Sequence, residues 1–142
     1  MIGRQVIVTE QAFTLEELYA FMEEHWDRAA YGDFVLGRPT PASIERYILL
    51  PATPRFLVLV FPRAKGSLFH KQNKVILTTA DTPAGAREGF YNSLPTRSIL
   101  AGARKISSSF SMEKERKGPA EDVLQEYTAY MRQLLQQAGL IR

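Results

Sequence analysis

The spacing of apolar residues changes several times along this chain, and each change predicts an element. Residues 56–61 (FLVLVF) are an unbroken apolar run, too short to cross a membrane and rich in strand formers. They read as a strand buried on both faces, the natural centre of a sheet. Pro62 has no N–H to give to a ladder and is expected to end that strand. After a polar connection, residues 74–79 (KVILTT) form a second run that should pair with the first antiparallel. Residues 4–9 (RQVIVT) alternate, with Val6 and Val8 on one face and Ile7 on the other.

A period near 3.6 follows. Thr14 and Glu17 have capping-box spacing, and Leu15, Leu18, Met22, Trp26 and Ala29 recur on one side, which predicts a helix over 14–29. Residues 34–36 suit a short strand broken by the prolines of 37–41, residues 43–50 (SIERYILL) suit a stronger one, and 51–54 (PATP) a tight turn into the central run. Residues 83–98 begin like a helix but are interrupted by Gly89 and Pro95, and 104–113 (RKISSSFSME) alternate as one half-buried strand. A polar loop tip at 113–118 precedes a closing helix over 119–138. Its start is marked by Pro119, Glu121 and Asp122, its stop by Gly139.

Strands that are sequential neighbours joined by short turns imply an antiparallel sheet, and two amphipathic helices can cover one face of it. The expectation is an α+β two-layer sandwich of five or six strands, with an N-terminal and a long C-terminal helix on one face, in a single domain over 1–142. A central strand that is apolar on both sides requires a second dry face. That requirement can be met by a sheet curved around an apolar pocket, by a dimer, or by the 83–103 excursion folding over.

Composition narrows the class without naming a reaction. With 142 residues, 45% hydrophobic and 23% charged, the chain matches an ordinary globular domain that folds without staples. No apolar leader or membrane-length run is present, so a cytoplasmic protein is the default. The absence of cysteine excludes disulfides, thiol catalysis and Cys-ligated zinc. Charge is uneven. Residues 1–45 hold three basic against eight acidic side chains, and residues 46–112 hold ten basic against two acidic. An anionic partner would suit the middle of the chain, although solvated edges account for the same charges.

Catalytic motifs are absent. His25 and His70 are far apart and would need carboxylates to complete a metal site, so no metal and no cofactor is expected. The hydroxyls of 107–111 have no nucleophile elbow, and Phe61 stands where a P-loop ending in Lys65, Gly66 and Ser67 would need glycine, five residues before Gly66. Two readings remain ahead of an enzyme, which would require Asp81 or Glu88 to meet a histidine in a cleft. The first is a non-catalytic protein binding a small apolar or acidic ligand, or a partner such as a second copy, between the sheet and the C-terminal helix. Tyr47, Phe61, Phe110, Tyr127 and Tyr130 would line that space and Arg46 or Arg104 would hold an acidic head group, although the same rings could simply fill a core. The alternative is nucleic-acid or phosphate binding by Arg63, Lys65, His70, Lys71, Lys74, Arg97, Arg104 and Lys105.

Overall fold

The computed structural model describes residues 3–38, 44–53, 56–65, 72–81 and 117–141. Five strands, β1 (Arg4–Thr9), β2 (Val35–Gly37), β3 (Tyr47–Pro51), β4 (Phe56–Lys65) and β5 (Gln72–Asp81), form one sheet in the order β1-β5-β4-β3-β2. Every pairing is antiparallel, and β4 is the middle strand. The expected α+β architecture is therefore present. The strand expected at 104–113 and the excursion at 83–98 lie outside the described residues.

Helices α1 (Leu15–His25) and α3 (Pro119–Gln137) pack on the same face, α1 over β3 and β4 and α3 over β1, β5 and β4. Between them and the sheet lies the main core. Leu18 and Met22 of α1 and Val123, Leu124, Tyr127, Met131 and Leu135 of α3 meet Ile7, Ile48, Leu50, Val58, Val60, Val75 and Leu77. Strand alternation places those seven residues on one side of the sheet.

The capping box forms as its spacing predicts, with Glu17 N–H donating to Thr14 Oγ1 at 3.1 Å and Thr14 N–H donating to Glu17 Oε1 at 3.0 Å. The helix expected over 14–29 is broken, however. Trp26 leaves α1 in an extended conformation, and Asp27 caps a new helix, α2 (Arg28–Tyr31), by accepting from the N–H groups of Ala29 and Ala30. An aspartate between Trp26 and Ala29 of the apolar stripe is a good cap, and here capping prevailed over continuation.

Pro62 does not end the central strand, which continues to Lys65. Hydrogen-bond parity explains its tolerance. Thr53 and Phe56 exchange both backbone bonds, so Phe56 and every second residue after it turn their polar groups toward β3. Pro62 is one of these, but β3 pairs with β4 only as far as Ile48↔Val60. The missing N–H thus points where, among the described residues, no strand waits.

Both ends of α3 hold β1. Gly3 N–H donates to Glu121 Oε2 at 2.7 Å, and Glu10 N–H donates to the Leu140 carbonyl at 2.9 Å. The second tie depends on how α3 stops. Gly139 takes a φ of 75°, Leu140 N–H reaches the Leu135 carbonyl and Gly139 N–H the Gln136 carbonyl, which is a Schellman ending.

Candidate binding face of the sheet

The sheet face opposite α1 and α3, helix-free among the described residues, is apolar at its centre and cationic at one end. Pairing registers set Leu59 beside Leu49 and Thr78, Phe61 beside Ile76, and Ile76 beside Val6. Leu49, Leu57, Leu59 and Ile76 are each 7% exposed or less, so the second face that the apolar run required is dry. Among the described residues no helix lies on it. Val35, Tyr47, Phe61 and Ala80 are half-buried around this patch.

Two residues beyond Phe61 and Ile76 on the same face, Arg63 stands directly opposite Lys74. Like charges facing each other across a strand pair repel, so this placement disfavours the bare sheet locally. The described residues include no acidic partner within ion-pair distance of either. Arg63 instead lays its guanidinium over the Phe61 ring, 5.2 Å from the centroid, and Phe61 meets Tyr47 edge to face at 5.1 Å. Between Arg63, Asn73, Lys74, Ala12 and Phe13 is a cleft of about 10 Å³, room for about one water-sized group.

Tyr47 closes the rim. Its hydroxyl donates to Glu45 Oε2 at 3.1 Å. Burial first, then the hydrogen bond and charge of Glu45, push this phenol above its ordinary value, while Arg63 pulls the other way.

The aromatic residues singled out in the sequence do not share one space. Tyr47 and Phe61 are on the helix-free face, whereas Tyr127 and Tyr130 are on α3 against the opposite side. Tyr127 is buried and donates to the Pro51 carbonyl at 2.5 Å. Tyr130 stacks on Tyr31 with centroids 3.8 Å apart and meets Trp26 edge to face at 4.7 Å. Both rings are packing residues of the core that the sheet separates from Phe61. Arg46, the expected head-group ligand, is on the surface in an ion pair with Glu16 at 3.0 Å. Phe110 lies outside the described residues.

Of the basic candidates, the structure brings Arg63 and Lys74 together, and Lys65 continues the same strand opposite Gln72. His70, Lys71, Arg97, Arg104 and Lys105 lie outside the described residues. His25 packs against Phe21 at 4.5 Å, and among the described residues no group of three His, Asp or Glu could hold a metal. No described helix is long and apolar enough to cross a membrane. Sequence reasoning groups Tyr47 with Phe61 but misses the Arg63 guanidinium over the Phe61 ring. The observed register, with Pro51 opposite Leu57, brings residues 47 and 61 together, whereas a turn at 51–54 alone would set residue 47 opposite 58. Compared with known proteins, the chain matches no family model, no curated protein sequence and no solved structure.

Proposed function

We propose that this is a non-catalytic binding protein whose helix-free sheet face takes a small ligand with an apolar body and an anionic head. The observation that carries this reading is the Arg63–Lys74 pair set at the end of the Leu49, Leu59, Phe61 and Ile76 patch. An anionic group between the two cations relieves their repulsion, and Tyr47 and Phe61 offer the adjoining apolar contact. This places the ligand on the opposite side of the sheet from the C-terminal helix. The space under that helix is filled by its own side chains.

Mapping by amide chemical shifts tests the location, with dodecanoate as the probe. Shifts are expected at Tyr47, Phe61, Arg63, Lys74 and Ile76, and none at Tyr127 or Tyr130. Perturbation centred on α3, or none at all, would overturn the proposal. A second reading rests on the same Phe61 ring beside Arg63, an arrangement in which a base can stack while cations meet phosphate. A short oligothymidylate replacing dodecanoate as the better probe, with affinity falling steeply in salt, would favour it.

A further inference from the structure

The outer edge of β1 points to a second interaction surface, independent of the ligand reading. Thr79 N–H donates to the Gly3 carbonyl at 3.0 Å, so Gly3, Gln5, Ile7 and Thr9 turn their backbone groups to β5. Arg4, Val6, Val8 and Glu10 turn theirs outward. Among the described residues only Glu10 is met there, by the Leu140 carbonyl. The strand is regular and has no proline or bulge, and its outward-register side chains Val6 and Val8 are 38% and 49% exposed. Folded proteins ordinarily protect such an edge. Along it runs an open groove of about 470 Å³ bordered by Val6, Val8, Thr9, Glu10, Arg132 and Ile141.

We infer that β1 pairs with β1 of a second copy of this chain, antiparallel about a two-fold axis at Val6, joining two five-stranded sheets into one. The register follows from which groups are open. Because Leu140 already occupies the outward N–H of Glu10, only Arg4, Val6 and Val8 can pair, and the single symmetric register using all three sets Val6 against Val6 and Arg4 against Val8. Every outward backbone group of those three residues is then satisfied. The β-branched Val6 side chains meet at the axis, a pair that suits a strand interface. Arg4 of one copy falls diagonal to Glu10 of the other, so the termini of the paired segment carry opposite charge.

The chain contains no cysteine, so single cysteines report the register directly. Val6→Cys is expected to give a covalent dimer with a short bifunctional maleimide. Val8→Cys is expected not to, because the two copies of residue 8 lie four residues apart along the strand, about 13 Å. Sedimentation should show the wild type as a dimer, and Val6→Lys, which sets two ammonium groups face to face at the axis, as a monomer with unchanged circular dichroism. A wild type that remains monomeric at high concentration, a dimer that Val6→Lys leaves intact, or equal cross-linking at residues 6 and 8 would each overturn the inference.

Discussion

The hydroxyl of Tyr130 accepts the backbone N–H of Asp27 at 3.0 Å, across 103 residues of sequence, and lies 3.4 Å from the His25 carbonyl. These are the backbone groups left open where α1 breaks and α2 begins. One phenol on the C-terminal helix therefore splints the break, while its ring stacks on Tyr31. Tyr130→Phe removes only the splint, which borders solvent, and is expected to cost about 1 kcal/mol. Tyr130→Ala also removes the ring contacts with Tyr31 and Trp26 and should cost about 2 kcal/mol or more. Urea midpoints for the two variants check this, and equal losses would contradict it.

The dry helix-free face predicts a contrast between two aspartates introduced on the same side of the sheet. Leu59 is buried on the central strand and Val8 is half exposed on the edge. Leu59→Asp buries an unpaired charge and should abolish cooperative unfolding, whereas Val8→Asp should stay within about 0.5 kcal/mol of wild type. A soluble Leu59→Asp protein with a sharp melt would show that β4 is not the centre of the core.

Much of this architecture was legible in the residues, and the departures have local causes. Thr14 and Glu17 announced a helix start because capping-box chemistry is set by neighbours alone. Pro62 misled because a missing N–H matters only when another strand faces it, and how far β3 extends along β4 is a tertiary fact. Asp27 was hidden on the polar face of a periodicity that continues through Ala29, and the Tyr130 hydroxyl that accepts its N–H arrives from α3, which the local sequence does not show. The binding face was half legible. Basic residues and aromatics were visible as types, but which ring sits beside which cation depends on strand register, where a one-residue slip moves a side chain to the other face.

Gly139 ends α3 in the left-handed region, with nothing within 4 Å of where a Cβ would sit. Steric room is thus not the issue, and Gly139→Ala carries backbone strain alone, about 1–2 kcal/mol. Thermal melts should fall by a few degrees. An unchanged midpoint would mean that the Schellman ending does not hold Leu140 against Glu10.

The raised Tyr47 phenol has a pH consequence. Its neutral form is favoured in the folded chain, so the stability it contributes is present below pH 10.0 and lost as pH rises through the higher folded value. Alkaline absorbance titration should show a late phenolate that Tyr47→Phe removes. Glu45→Gln should bring that ionisation earlier and Arg63→Ala should delay it. Ionisation of Tyr47 at or below pH 10.0 would contradict the arrangement of Glu45, Tyr47 and Arg63.

The most direct measurement of the proposed function is calorimetric titration of dodecanoate into wild type and Arg63→Ala/Lys74→Ala, beside butanoate and dodecyltrimethylammonium. The predicted result is that only dodecanoate binds the wild type well, since butanoate lacks the apolar body and dodecyltrimethylammonium carries the wrong charge. Loss of the two cations should weaken dodecanoate at least tenfold, about 1.4 kcal/mol, while leaving the melting temperature within a few degrees of wild type. Equal binding of dodecanoate and dodecyltrimethylammonium, or affinity unaltered in the double variant, would contradict it.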